Sequence, residues 1–454
     1  MASRLEDLAP QGLLERARRA ADLVGPVSRI RILCHYDPDG TTSAAILARA
    51  FLRRGKRFLA TMSHALDTAA LERLRGERNE LLVVSDMGSA QLDRLEQLPG
   101  PTIVLDHHMP PRDSESIVHV NPHLFGVDGV REMCGSTTTW LFALVLDEAN
   151  WDLAGLAMAG AIGDKQDLGG FTGVNAALFR EAVARGILVP ERSLALRDVP
   201  LARALATSVS PYFRGLGGRP DAAAAFLRGS GLDPETTVRE LDPASRRRLA
   251  GLLATRLVEQ GSAPEALDSL VEDRHWIEGD QIYAGELEAY VNSCDRLERE
   301  GLGMAVCLGD REALSKAEAL RDEYTGKVLG HLSRLESEGL FAKKHIQFFY
   351  CEEPSLAGSV AGAGIQYYFD QSKPVVGLSV TDSVTKVSAR GTRAQVAAGV
   401  DLAAALREAG EAMGGTGGGH NIASGATIPK GKEEKFLALV DETIGRRLAS
   451  REGQ

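Results

Sequence analysis

The stretch Arg29-Ile30-Arg31-Ile32-Leu33-Cys34-His35-Tyr36-Asp37-Pro38-Asp39-Gly40-Thr41-Thr42-Ser43-Ala44-Ala45-Ile46-Leu47-Ala48 decides how this chain folds. Its first six residues form a short apolar run that reads as a buried strand. Thr41–Ala48 reads as the first turns of a helix. His35, Asp37 and Asp39 therefore fall where a strand ends and a helix begins, the place where an open α/β sheet gathers its ligands. Pro38 and Gly40 suit a tight turn that lets the three side chains converge. Hard carboxylates beside an imidazole suit Mn²⁺, Mg²⁺ or Zn²⁺. Taken alone, the hexapeptide reads equally well as a solvated turn with Asp39 or Thr41 capping the helix.

The same strand-to-helix alternation extends outward from this point. Phe58–Met62 precedes helix-like Asp67–Leu74, Leu81–Ser85 precedes Ala90–Leu98, and Thr102–Leu105 and Ile117–Val120 follow as strands. Repeated units of this length predict a mostly parallel sheet covered on both faces. An amphipathic helix is expected ahead of it, over residues 3–24. Residues 134–186 read as helices, with Ser136 as an N-cap. A middle stretch rich in helix formers and Pro/Gly breaks reads as a helical insert or linker. Alternation resumes at His345–Cys351, Val375–Thr381 and Lys386–Ala389, followed by a helix at Leu402–Ala409, a glycine-rich loop and a final helix at Glu433–Leu448. The expected fold class is α/β: an N-terminal, mostly parallel-sheet domain over 1–190, the helical region over 191–340, and a smaller C-terminal α/β domain over 341–454.

Three further segments end with metal-type ligands. Leu81–Ser85 runs into Asp86, Thr102–Leu105 into Asp106-His107-His108, and the helical Leu156–Ile162 into Gly163-Asp164. Singly, each could be a helix cap, a solvated loop or a surface pair. Jointly, they put acid or imidazole at the C-terminal ends of neighbouring parallel strands. Asp37, Asp39, Asp86 and Asp164 with His35 and His107 could hold two divalent ions if one carboxylate bridges. Two ions about 3.5–4 Å apart suit phosphoryl transfer to water. That many carboxylates cannot all ionise in one site without cations, so the cluster itself implies metal.

Composition narrows the class. With 454 residues, 44% of them apolar and 25% charged, the chain has material for two or three domains. A net charge of −10 argues against a surface that is basic throughout, so any nucleic acid must meet a local basic groove. Cys34, Cys134, Cys294, Cys307 and Cys351 are scattered, without a CxxC pair, which argues against a disulfide framework or a zinc ribbon and fits a reducing cytoplasm. No signal-peptide core or membrane-length apolar run is evident, so no membrane partner is expected. Arg53-Arg54-Gly55-Lys56-Arg57, Arg246-Arg247-Arg248 and Lys430-Gly431-Lys432 are candidate backbone contacts, though charge runs are usually solvated faces. Tyr212, Phe213, Tyr367 and Tyr368 could stack bases, but read more readily as core or interface residues.

The series His35-x-Asp37-x-Asp39-Gly40, Asp86, Asp106-His107-His108 and Gly163-Asp164 resembles the four motifs of the DHH phosphoesterase superfamily, over residues 29–185. The resemblance implies that His35 and Asp37 ligate one Mn²⁺, that Asp39, His107 and Asp164 ligate the other, and that Asp86 bridges, with Mg²⁺ or Co²⁺ as substitutes. It puts Asp106 in support and His108 beside the scissile phosphate. Residues 345–449 resemble the DHHA1 domain that follows many DHH domains. That likeness implies that Ser388, Arg390 and the loop Gly417, Gly418, Gly419 and His420 hold the nucleotide across an interdomain cleft, with Thr392 and Arg393 as further candidates. Asn292–Gly303 and Ser210–Leu216 resemble segments of archaeal RecJ-like nucleases, the group that includes the GINS-associated nuclease. Asp295 stands where that group usually has glycine. The implied activity is metal-dependent exonucleolytic release of 5′-mononucleotides from single-stranded DNA or RNA, in replication or repair, with GINS or another replisome protein as a partner. The alternatives are a phosphodiesterase or phosphatase of small nucleotides (nanoRNA, pAp or cyclic-dinucleotide products) and a replisome scaffold in the manner of CDC45.

Overall fold

The computed structural model describes residues 4–77 and 79–452 and divides into two compact units. One comprises the chain up to residue 191 together with 273–321. The other comprises 192–272 and everything from 322 onward. The stretch 191–340, read from the sequence as one helical insert, is thus shared between the two.

The first unit is built on five parallel strands: β1 (Arg29–His35), β2 (Arg57–Ser63), β3 (Leu81–Ser85), β4 (Thr102–Leu105) and β5 (Val118–Val120), in the order β2-β1-β3-β4-β5. Its helices include α1 (Gln11–Val24), α2 (Pro38–Arg53), α3 (Thr68–Gly76), α4 (Leu92–Leu95), α5 (Gly135–Leu146) and α6 (Ala154–Gly163). Apolar residues alternate between the two faces of the sheet. Ile30, Ile32, Cys34, Leu81 and Val83 join a large core with α1, α2, α5 and α6. Leu33, Leu82, Val84 and Val104 pack with Ala70, Leu71 and Leu74 of α3 in a smaller one. Both faces are therefore covered, as a parallel sheet requires. Arg31 is buried within β1 because its guanidinium is satisfied, by Glu77 at 2.6 Å, the Ile32 and Leu59 carbonyls at 2.6 and 3.2 Å, and Thr61 at 2.7 Å.

Several local expectations are corrected. Residue 3 of the helix predicted over 3–24 lies outside the described residues. The rest is interrupted, with a 3₁₀ turn at Leu5–Asp7 and α1 starting only after Pro10, whose ring has no amide to continue a helix. The helix expected over Ala90–Leu98 shrinks to a 3₁₀ turn and the single turn α4. Pro38-Asp39-Gly40 is not a separate turn but the first turn of α2. Asp37 is the N-cap, accepting from the Gly40 amide at 3.1 Å. Pro38 suits that first helical position, where its missing N–H costs nothing. Ser136 does not cap α5. Cys134 occupies that position, and Ser136 lies inside the first turn.

The second unit carries a six-stranded mixed sheet: β6 (Phe341–Ala342), β7 (Gln347–Tyr350), β8 (Val375–Val380), β9 (Val384–Arg390), β10 (Thr416–Gly419) and β11 (Ala423–Pro429), in the order β10-β11-β9-β8-β7-β6. Only β7 and β8 run parallel. Of the glycine-rich run over 414–421, expected as a loop, Thr416–Gly419 form the edge strand β10, whereas the residues on either side lie outside the strand. The absence of side chains permits its close packing: a Cβ on Gly417 would meet the Leu406 carbonyl at 2.1 Å, and one on Gly415 the Thr427 carbonyl at 2.1 Å. Tyr212, Phe213 and Tyr367 are buried in this unit's helical core. They are core residues, unavailable for base stacking.

Candidate metal centre

The acidic residues converge because the ends of three strands and two helices meet above one edge of the first unit's sheet. β1 ends in His35, and Asp37 and Asp39 open α2. Asp86 follows β3, Asp106-His107-His108 follow β4, and Asp164 closes α6. Two triads of potential ligands result, His35–Asp37–Asp86 and Asp39–His107–Asp164, each with donor atoms within 4.8 Å of one another. His35 Nδ1 lies 3.0 Å from Asp37 Oδ2 and 3.6 Å from Asp86 Oδ2. His107 Nε2 lies 3.2 Å from Asp86 Oδ1, 3.4 Å from Asp164 Oδ2 and 3.8 Å from Asp39 Oδ2. The two oxygens of Asp86 thus face different triads. Asp86 itself is held at φ 57°, a left-handed conformation that a non-glycine residue adopts at a cost.

Surrounding groups orient these donors. The backbone amides of Gly135 and Ser136, at the start of α5, donate to Asp39 Oδ2 and Oδ1 at 2.7 and 2.8 Å. A Cβ on Gly135 would fall 2.7 Å from both Asp39 Oδ2 and Asp86 Oδ1, so only glycine fits there. The Gly129 carbonyl accepts from His107 Nδ1 at 2.7 Å, which turns Nε2 toward the carboxylates. Asp106 accepts from the amides of Ser89, His107 and His108 at 2.9, 2.8 and 3.2 Å, and from His108 Nδ1 at 2.8 Å. Its place is therefore beneath the cluster, orienting His108, whose side chain is 59% exposed. A buried chain continues below it. The Ser89 hydroxyl lies 2.9 Å from His119 Nε2, and Asn121 Nδ2 donates to Ser89 Oγ and to the His108 carbonyl.

Sequence reasoning passed over Gly129, Gly135, Ser89, His119 and Asn121. For Asn121 a signal existed, since it follows β5 as Asp86 follows β3 and Asp106 follows β4. The glycines gave none, because what they contribute, a carbonyl at Gly129 and space at Gly135, depends on groups distant in sequence.

The electrostatics of the cluster fit cations. Burial, with repulsion from Asp39 and Asp37, pushes Asp86 up to about 7. Burial and then Asp39 push Asp164 up to about 9. Burial would lower His35, but Asp37 and Asp86 outweigh it and hold the imidazole at about 10. His107 is raised in the same way by Asp86, Asp164 and Asp39 against its own burial. Asp106 behaves oppositely: despite burial, His108, His107 and Ser89 hold its carboxyl well below the usual range. The buried His35 Nδ1 and Asp86 Oδ1 meet Asp37 and His107 at 3.0 and 3.2 Å, but neither makes a well-formed hydrogen bond. Carboxylates that must share protons, next to unsatisfied donor atoms, are what divalent cations would relieve. Six oxygen and imidazole donors suit Mn²⁺ or Mg²⁺ better than soft ions.

In the second unit, the predicted substrate residues lie on adjacent strands. Ser388 on β9 pairs with Gly425 on β11, which pairs with Gly418 on β10, and Arg390 pairs with Ala423. His420 is exposed in the turn joining β10 to β11. Gly358, in the helix Pro354–Tyr367, completes the setting, since a Cβ there would come within 3.0 Å of the Arg390 guanidinium. Thr392 is buried as the cap of the helix Arg393–Ala398. The Arg53–Arg57 run is partly structural: Arg53 pairs with Asp152 at 2.5 Å and Lys56 donates to the Gly25 and Val27 carbonyls. Arg246 similarly donates to the Val238, Arg239 and Leu241 carbonyls.

A donor cluster of this kind, at the C-terminal edge of a parallel sheet covered on both faces, has the composition and geometry that a divalent cation requires. The chain belongs to the DHH family, in its RecJ-like branch with a DHHA1 domain. The model of the DHH family N-terminal domain matches residues 29–161, and that of the DHHA1 domain matches 350–446. An uncharacterized protein of Methanocaldococcus jannaschii is 32% identical over 429 residues, covering 92% of this chain and 94% of that protein. The single-stranded-DNA-specific exonuclease RecJ of Thermus thermophilus is 30% identical over 202 residues, 40% of this chain and 30% of RecJ. The fold is shared with an exonuclease RecJ solved with bound manganese (TM-score 0.59, 20% identity, 98% of this chain and 96% of that one). It is also shared with CDC45 of Entamoeba histolytica (TM-score 0.63, 11% identity, 96% and 97%). The protein is accordingly of the metal-dependent phosphoesterase or exonuclease kind. Among the described residues no helix is long and apolar enough to cross a membrane.

Proposed function

We propose that the protein is an exonuclease that removes 5′-mononucleotides from single-stranded nucleic acid with the help of two divalent cations. The observation that carries this reading is the division of Asp86, with Oδ2 toward His35 and Oδ1 toward His107. In this reading His35 and Asp37 would hold one Mn²⁺ ion, Asp39, His107 and Asp164 would hold the second, and Asp86 would serve both, with Mg²⁺ or Co²⁺ as substitutes. Such a pair of cations supplies an activated water and offsets charge on the phosphoryl group.

The protein's own groups do the rest. Gly129 keeps the His107 proton on Nδ1, leaving Nε2 for a cation. The Gly135 and Ser136 amides offset part of the Asp39 charge. The Asp106 hydrogen bond holds a proton on His108 Nδ1 and raises the basicity of the ring, so that the imidazolium, with a second proton on Nε2, presents Nε2–H to the substrate. From there His108 donates to the departing oxygen. Ser388, Arg390, Gly417, Gly418, Gly419 and His420 bind the phosphate of the nucleotide, with the Arg390 guanidinium suited to bidentate contact. A role in replication or repair, with a replisome protein such as GINS as partner, is supported by the resemblance to archaeal RecJ-like nucleases and by the fold shared with CDC45.

The test is degradation of end-labelled single-stranded DNA and RNA in Mn²⁺, with the label placed at either end. The double variant Asp37→Ala, Asp39→Ala is expected to fall to background. Wild-type rates in that variant would refute the site. Activity confined to dinucleotides and pAp in a chain-length series would replace the exonuclease reading with that of a small-nucleotide phosphodiesterase.

A further inference from the structure

One aromatic pair beside the acidic cluster has no part in the chemistry described so far. Tyr36 lies between His35 and Asp37 and is partly exposed. Its ring stands edge-on to the His35 imidazole, with centroids 4.9 Å apart and an interplanar angle of 77°. It also packs against His64, centroids 3.9 Å apart at 37°. The pairing of β1 with β2 brings this about. His35 is in register with Ser63, so the residues that follow each strand emerge side by side. The side chain of His64 is 63% exposed, and its Nε2 lies 3.8 Å from Glu300 Oε1.

Three features separate this pair from an ordinary surface contact. First, it begins one residue from two predicted metal ligands and touches one of them. Second, β2 is the edge strand of the sheet, so the pair borders the ligand crevice on the side where the sheet ends. Third, of the four aromatic residues that might otherwise have stacked bases, Tyr212, Phe213 and Tyr367 are buried, and Tyr368 is partly buried with its hydroxyl donating to the Leu332 carbonyl. Two rings already in contact, one partly exposed and the other with a side chain 63% exposed, lose little rotamer freedom when a third flat ring is added.

We infer that Tyr36 and His64 form a stacking shelf for the nucleobase adjoining the phosphodiester at the metal centre. This rests on the nuclease reading above and extends it to the base. Neither ring reads a Watson–Crick edge, so the shelf accepts all bases, as stacking platforms for single strands do.

The full-length protein tests this with oligodeoxynucleotides that carry a base at every position or an abasic residue at one terminus, each end examined separately. Wild type is expected to prefer the base-bearing end by roughly ten- to a hundredfold in kcat/KM, the usual worth of one stacked base. In Tyr36→Leu and in His64→Ala that ratio is expected to fall toward one, whereas Tyr36→Phe, which keeps the ring, retains it. The ratio cancels any general loss of activity. An unchanged ratio in both Tyr36→Leu and His64→Ala overturns the shelf. If wild type cleaves neither substrate, the nuclease reading fails by itself, and the shelf is judged by binding in EDTA. Quenching of a terminal 2-aminopurine by wild type but not by Tyr36→Leu supports it, and no quenching by wild type overturns it.

Discussion

Asp86 shows how much depends on single residues here, since its two oxygens divide between two triads while burial and its acidic neighbours hold its proton to about 7. Without cations, protons balance the cluster: Asp164 keeps its own to about 9 and His35 to about 10. A cation must displace them, because each ligates only when deprotonated. Mn²⁺ binding is therefore expected to release at least one proton near pH 7, and to tighten as pH rises from 6 to 9. Calorimetry in buffers of different ionisation enthalpy measures both, and binding without proton release would contradict the assignment. Gly135→Ala places a methyl 2.7 Å from Asp39 Oδ2 and Asp86 Oδ1. It is expected to weaken Mn²⁺ binding and activity by roughly tenfold or more, and unaltered Mn²⁺ affinity would show that this corner is not used. The six donors were legible in the sequence because acid and imidazole at strand ends stand out against apolar runs. Gly129 and Gly135 were not, because nothing local marks a glycine needed for its carbonyl or for space.

At the scale of elements, the helix Ala284–Arg296 delivers an unusual group to the first unit. Asp295 is buried 3.5 Å from the Thr41 hydroxyl, and its Oδ2 has no hydrogen-bond partner. Burial first, then Asp37 and Glu300, push its carboxyl up to about 9. An acid with a raised pKa in the fold binds a proton that the unfolded chain has already lost above about 4. Stability therefore falls as pH rises between those two values, by at most about 1.4 kcal/mol per pH unit. Asp295→Asn removes that slope. In EDTA its melting temperature is expected to gain on wild type steadily from pH 5 to pH 9, read by scanning calorimetry. A difference independent of pH would mean that Asp295 is ionised in the fold. The departure at Asp295 was visible in the sequence. That the residue lies beside the opening of α2 was not, because more than 250 residues separate the two segments.

For the whole molecule, the two units offer separate spectroscopic handles. Trp140, Trp151 and Trp276 all belong to the first unit. Tryptophan emission therefore follows that unit alone, whereas far-ultraviolet dichroism follows both. A ligand bound only by the native state adds about 2.7 kcal/mol at a hundred times its Kd. Saturating Mn²⁺ is expected to raise the tryptophan-monitored midpoint by about 5–10 °C relative to EDTA. A midpoint that does not move would remove the cations from this unit. The α/β class and the parallel sheet were legible as alternating apolar runs. The division of 191–340 between two units was not, since periodicity marks helices without saying which core they join.

By itself the sequence showed which residue types gather at strand ends and that a parallel sheet presents them, and it implied the cations expected to accompany them. Those properties are local, set by side-chain type and by position relative to an apolar run. Only the tertiary structure decided how the donors divide, that Asp86 turns one oxygen to each triad, that Asp106 is spent on amides and on His108, and that part of the glycine run is a strand. These are matters of distance between segments far apart in the chain, and packing, not local preference, sets such distances.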